Sequence, residues 1–272
     1  MNENPTKKTS TPRSGVPLTF FLLTFALAIP FWVLGEGIGV QLLPGLPVAA
    51  LMFVCPALAA LLLVRRERGS EGAKALLKRA FDFERIKAKA WYAPILLLNP
   101  AIAVSSYAVL RLIGTPVPAP KIPILATLTL SAVFFIGAVG EELGWSGYAI
   151  EPMQSRWGAL RASLLLGAVW AVFHFVALAQ AHRSVEWIAW WSLGTVSARV
   201  IMVWLYNHTG KSVFGAVLFH AASNLSWQTF PIHGSSFDPR VPGLITAIVA
   251  VALVIARPPQ ADRQSKGPSG GW

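Results

Sequence analysis

The sequence is short of charge and almost without cysteine. Of 272 residues, 13% are Asp, Glu, Lys or Arg, about half the share of a soluble domain, while 54% are hydrophobic. An ordinary soluble globular chain is therefore excluded. The single cysteine, Cys55, rules out an intramolecular disulfide and a cysteine metal cluster, and reads as a small buried apolar side chain. His-Glu-x-x-His is absent, so spacing alone supplies only a weak zinc signal. Neither an internal repeat nor a soluble domain is apparent.

What the sequence has instead is long apolar runs from which charge is pushed out. A bilayer core needs about 20 apolar residues per helix, and eight segments approach that length: 16–34, 46–64, 91–113, 122–140, 160–181, 187–206, 213–227 and 241–256. Backbone groups in lipid must be paired internally, and unbroken runs do not alternate as barrel strands do. The fold class is all-α, a polytopic membrane protein of about eight transmembrane helices. Prolines at 30, 47, 56, 94, 100 and 123 lie within or at the ends of these segments, where kinks are expected. Residues 1–15 and 257–272 read as disordered tails around one membrane domain, 16–256.

Threading the eight segments with both termini on one side puts 18 Lys and Arg on that side and 3 on the other, with Arg111 and Arg199 inside spans. By the excess of positive charge on cytoplasmic loops, both termini are cytoplasmic in a multi-pass protein of a cell membrane, best matched to a prokaryotic plasma membrane. The net charge of +11 then lies against anionic lipid headgroups, and nucleic acid is not an expected partner. Residues 26–28 have the small-x-small form of a signal cleavage site, but the apolar run continues past them as in an uncleaved anchor. Residues 65–90 alternate basic and apolar groups, as in an amphipathic helix on the inner leaflet or a solvated basic loop.

Ionisable groups inside a span cost at least about 2.5–3.5 kcal/mol each and are functional candidates by default. Here they are Glu141, Glu142, His174 and His220, with Asn224 as a polar companion. Glu141 precedes Arg156 by 15 residues, His174 follows Arg161 by 13, and His220 and Asn224 follow Lys211 by 9 and 13. At about 1.5 Å per residue these groups share a depth of roughly 14–22 Å. His220 and Asn224 are four apart on one helix face, as are Trp170 and His174. A carboxylate and an imidazole facing one water can take its proton, while a second imidazole and an amide NH₂ donate to a developing oxyanion. Peptide-bond hydrolysis needs this set. Glu141, His174 and His220 could instead hold a zinc ion that activates the water; the metal-free and zinc alternatives both stand.

The segment Gly140-Glu141-Glu142-Leu143-Gly144-Trp145-Ser146 resembles the Glu-Glu-x-x-x-Arg motif of the CAAX protease and bacteriocin-processing family of intramembrane endopeptidases. Trp170-Ala171-Val172-Phe173-His174 resembles the family's aromatic-x-x-x-His, and His220-Ala221-Ala222-Ser223-Asn224 its His-x-x-x-Asn/Asp. The resemblance covers about residues 120–230 and implies an eight-helix membrane fold. It implies that Glu141 and His174 activate water, that His220 and Asn224 form the oxyanion site, and that Glu142 is the second motif carboxylate. Family members are described both as metalloproteases and as metal-free glutamate enzymes, and the eukaryotic ones process prenylated CAAX proteins. A membrane-associated protein or peptide substrate is expected. The chain departs from the pattern at Ser146, which stands where the motif has arginine, so Arg199 or Arg156 must supply that cation if the ion pair exists. Two rival readings are a non-catalytic membrane partner that kept the fold, and a transporter relaying protons through Glu and His, which predicts inverted halves. The oligomeric state is open.

Overall fold

The computed structural model describes residues 17–232 and 238–256, so both expected tails lie outside the described residues. The described chain is helical almost throughout: α1 Leu18–Ile38, α2 Cys55–Lys78, α3 Tyr92–Leu112, α4 Ile124–Gly144, α5 Ile150–Gln180, α6 Val185–His208, α7 Val213–Thr229 and α8 Arg240–Ala256. A short hairpin, β1 Gln41–Leu43 with β2 Leu46–Pro47, separates α1 from a tight helical turn, Val48–Val54, that runs into α2. Each apolar segment read from the sequence coincides with a helix. Five helical stretches have the length and composition to cross a membrane: Leu18–Ile38, Val48–Phe81, Lys89–Leu112, Ile124–Gln180 and Val185–His208. The fold is all-α and polytopic. Ile124–Gln180 is 57 residues long because α4 and α5 are joined by one wide helical turn, Trp145–Ala149, with no loop between them.

Large apolar side chains such as Leu125, Ile248 and Ile255 face outward, whereas Glu142 and Arg199 are wholly buried. This inversion of the soluble pattern is what a lipid solvent requires of a bundle. Inside, α4 packs on α2 and α7, and α6 on α5 and α8. The α2–α4 contact is backbone-close: a Cβ on Gly144 would sit 2.6 Å from the Pro56 backbone, so only glycine lets the motif helix approach here.

The prolines divide by position. Pro56 and Pro94 occupy the first turns of α2 and α3, where the missing N–H costs nothing, and Pro47 and Pro123 directly precede helical turns. Pro30 and Pro100 are interior to α1 and α3, and non-helical backbone angles occur at Gly69 in α2 and Gly158 in α5, with φ of 67° and 75°. Glycine accepts these positive angles without the Cβ clash that other residues meet.

The 65–90 segment is helical over its first half, as one of the two expectations has it, and is tied to the bundle beyond that. α2 continues past Gly69 to Lys78, and three short turns follow: Arg79–Phe81, Phe83–Arg85 and Lys89–Trp91. Arg79 reaches across the bundle, donating to the Gly147 carbonyl at 3.1 Å, the Tyr206 hydroxyl at 3.0 Å and the Lys211 carbonyl at 2.7 Å. Asp82 caps α7, accepting from Ser212 Oγ at 2.8 Å and Phe214 N at 3.0 Å. Lys211 pairs with Glu151 at 2.6 Å. One end of the bundle, rich in Lys and Arg, is thus tied together by side chains. At the opposite end Gln228 donates to the Pro44 carbonyl at 3.4 Å, Lys121 N to Pro231 O at 2.8 Å, and the Arg183 guanidinium lies 4.6 Å from the Trp187 ring centre.

Candidate active site

The five residues singled out from the sequence come together from three helices. Glu141 and Glu142 occupy the last turn of α4, and their carboxylates diverge because adjacent helical residues point about 100° apart. Each is held by the residue four positions on: Trp145 Nε1 donates to Glu141 Oε2 at 3.1 Å, and Ser146 Oγ donates to Glu142 Oε2. Both partners belong to the wide turn, whose single-turn loosening is a frequent mark of functional helices.

Trp170 on α5 is the hub of the first carboxylate. Its indole N–H donates to Glu141 Oε2 at 2.6 Å, and its carbonyl lies 2.8 Å from His174 Nδ1. A carbonyl only accepts, so Nδ1 carries the proton, and in the neutral ring Nε2 is left with a free lone pair. That Nε2 sits 3.7 Å from Glu141 Oε1. Two acceptor atoms therefore face each other, one from each helix, while the other polar atom of each side chain is already engaged.

The second carboxylate builds a different assembly. Arg199, in the middle of α6, binds Glu142 with both terminal nitrogens, Nη1 to Oε2 at 2.8 Å and Nη2 to Oε1 at 2.9 Å. Its Nη1 is also 3.5 Å from Ser146 Oγ, and its guanidinium carbon lies 4.2 Å from the Trp170 ring centre. Of the two cations the sequence offered in place of the motif arginine, Arg199 takes the role; Arg156 lies instead over Trp157. His220 Nδ1 is 3.0 Å from Glu142 Oε1 and its ring stands edge-on to Trp170, with centroids 5.1 Å apart. Because the carboxylate ion-paired to Arg199 accepts, His220 Nδ1 donates, and Nε2 is directed elsewhere.

A cavity of about 610 Å³ adjoins these groups. Glu141, His174, His220 and Asn224 line it, and Glu142 does not. Glu142 and Arg199, both 0% exposed, lie behind the wall and hold His220 from the rear. Asn224, one turn beyond His220, makes no hydrogen bond among the described residues and leaves its amide to the cavity. Sequence reasoning missed three contributors. Trp145 lies inside the first motif and fixes Glu141. Asn99 on α3, buried at the wall, donates to the Phe219 carbonyl at 3.1 Å beside His220. Trp191 on α6 packs against the His174 ring at 5.5 Å between centroids. Asn99 was detectable as an amide inside an apolar run, whereas nothing in the spacing marks Trp191.

The zinc alternative does not fit the donor set. Among the described residues no three His, Cys, Asp or Glu side chains gather as metal ligands, and Glu141, His174 and His220 are no exception. The physical reason is the pairing just described: His220 turns to Glu142 on the Arg199 side, while Glu141 turns to the indoles and to His174. A metalloprotease designation finds no support in this arrangement.

Residues 123–226, which contain all five candidates, match the family model of type II CAAX prenyl endopeptidases, Rce1-like. The chain is also 26% identical over 245 residues to a protein of Methanococcus maripaludis named CAAX prenyl protease 2, an alignment covering 79% of this chain and 85% of the relative. These matches agree with the family likeness carried by the three motifs.

Proposed function

We propose that this Rce1-like intramembrane endopeptidase hydrolyses a peptide bond of a membrane-associated protein or peptide with a water held between Glu141 and His174. The observation that carries the reading is the facing pair of acceptors, Glu141 Oε1 and His174 Nε2, 3.7 Å apart at the cavity wall. A water there donates one hydrogen to each. As its oxygen attacks the scissile carbonyl carbon, one proton passes to the Glu141–His174 pair, and the carbonyl electrons move onto oxygen. Asn224 Nδ2 and, in the imidazolium form, His220 Nε2–H donate to that oxyanion. When the tetrahedral intermediate collapses, the C–N bond breaks and the proton returns to the departing amine. Glu142 and Arg199 touch no reacting atom and act by positioning His220.

The replacement of the motif arginine by Ser146 favours a silent partner only if the second glutamate lacks a cation. Arg199 supplies that cation, and Ser146 contributes a hydrogen bond to the same oxygen. The substrate class comes from the matches: the relative's name refers to CAAX prenyl processing, and a membrane-associated polypeptide is the corresponding substrate here. The test compares wild type with Glu141→Gln in native membranes, using mass spectrometry to find protein termini that appear only with wild type. The amide still accepts from the two indoles but cannot take a proton from water, so wild-type-specific termini are expected. Identical termini from both proteins at equal abundance would remove Glu141 from the reaction and favour the non-catalytic partner.

A further inference from the structure

Among the described residues only Arg79, Arg183 and Arg199 are arginines shielded from full exposure. Two of them are employed by the protein itself. Arg79 clamps one end of the bundle through the Gly147 carbonyl, the Tyr206 hydroxyl and the Lys211 carbonyl, and Arg199 binds Glu142. Arg183, half-buried in the turn between α5 and α6 at the opposite end, donates no side-chain hydrogen bond among the described residues, and its Nε is buried without a partner. The acidic groups of that end are engaged elsewhere: Glu186 and Asp238 face Arg240, at 3.8 and 2.8 Å. Burial pushes the Arg183 pKa down, and no neighbouring anion raises it. The guanidinium has lost hydration that no group of the protein restores.

Its position ties it to the active site. The guanidinium carbon lies 4.6 Å from the Trp187 ring centre. A Cβ on Gly45 would sit 2.8 Å from Arg183 Nη2 and 3.6 Å from Trp227 Cη2, so the hairpin turn reaches this corner only as glycine. Gly45, Trp187 and Trp227 all line the catalytic cavity, and Arg183 stands at its rim. Apart from Glu141, His174 and His220, the lining is uncharged. A guanidinium stacked on an indole keeps its in-plane N–H groups available, and their fork fits a carboxylate.

The spacing suits a polypeptide. From His174 to Gln180, the last residue of α5, the helix rises about 9 Å, with Ala177 and Leu178 forming the wall between. An extended chain covers that length in about three residues. Resting on the endopeptidase reading, we infer that Arg183 binds a carboxylate of the substrate about three residues from the scissile bond, either the free chain end or an acidic side chain at that position. The carboxylate anchors the segment along α5 while the peptide bond lies at Glu141 and His174. This contact is the same before and during the reaction, so it lowers KM and leaves kcat unchanged.

The test uses the purified full-length protein and a prenylated CAAX peptide, the probe that the relative's name suggests, with cleavage followed by mass spectrometry. The peptide is made with a free C-terminal carboxylate, with a C-terminal amide, and as an amide ending in Asp. In wild type, amidation is expected to raise KM about tenfold with kcat unchanged. Arg183→Gln should show the raised KM with every form, and Arg183→Lys should keep part of the preference. Recovery with the Asp form assigns the site to any carboxylate at that position, and no recovery assigns it to the chain end. Equal KM for all forms in wild type overturns the inference, as does a full preference in Arg183→Gln. Binding of fluorescently labelled forms to Glu141→Gln, measured by anisotropy, reads the same preference without turnover. If wild type cleaves none of them, the endopeptidase reading fails; a preference of about tenfold for the carboxylate forms in Glu141→Gln, removed by adding Arg183→Gln, would still establish the carboxylate site. Equal binding of all forms overturns it.

Discussion

Arg199 and Glu142 form a two-point ion pair with no solvent on either side: both side chains are 0% exposed, and the two contacts measure 2.8 and 2.9 Å. The fork geometry matches the carboxylate, and charge-assisted pairs of this kind are roughly twice as strong as neutral hydrogen bonds. Arg199 Nε finds no partner among the described residues, so the guanidinium is held by its two terminal nitrogens and by the Trp170 face. The pair stands where the family motif carries its own arginine, one helical turn from the second glutamate. Here the cation comes from α6, and Ser146 stands at the motif position.

This arrangement predicts an interaction between two substitutions. Arg199→Met leaves a buried carboxylate without a cation, a loss of about 3–5 kcal/mol. Ser146→Arg alone crowds a second guanidinium into a site only 2% exposed, an overpacking cost of about 1–3 kcal/mol. Together they restore one cation to Glu142, so the double variant should melt above Arg199→Met in detergent. Additive losses in the double-mutant cycle would show that position 146 cannot serve the ion pair.

Asn224 allows the oxyanion role to be separated from structure. Its amide faces the cavity without a hydrogen bond among the described residues, so Asn224→Ala removes a donor from the cavity and nothing from the packing core. Turnover of a cleavable peptide should fall by about 10²–10³ with KM little changed. The melting temperature should stay within a degree or two of wild type. A lowered melting temperature with full turnover would make Asn224 a structural residue.

Much of this architecture is legible in the sequence because lipid leaves the chain few choices. Apolar runs must be helices, and charges inside them must find partners, which is why Glu141, Glu142, His174, His220 and Arg199 stand out. Register along a helix also placed His220 with Asn224 and Trp170 with His174. What register does not carry is the direction each side chain takes across the bundle. The division of labour between the glutamates, one at the cavity wall and one behind it, depends on how α4 rotates against α6 and α7, and the metal set fails for the same reason. The 65–90 segment is incompletely legible for a different one. Its basic residues read as surface and all but Arg79 are exposed, but Arg79 and Asp82 point inward to carbonyls and a helix start that no local pattern reveals.

Asp82 therefore yields a prediction that reaches the site from a distance. Its carboxylate accepts from Ser212 Oγ, from Phe214 N at 3.0 Å and from Val213 N at 3.3 Å, satisfying donors that begin the helix carrying His220 and Asn224. It also faces Arg85 at 3.3 Å and Arg79 at 3.6 Å, so it links the clamp to α7. Asp82→Ala should destabilise the protein by about 1–2 kcal/mol, the upper part of the capping range, while Asp82→Asn keeps one acceptor oxygen and should lose less. Because α7 enters the bundle at this cap, fraying there moves His220 relative to Glu142, and kcat should fall further in the alanine variant than in the asparagine one. Thermal unfolding and turnover measured on both variants decide the matter: equal behaviour of Asn and Ala, or no change in either, would mean that the Ser212 side chain caps α7 without help from Asp82.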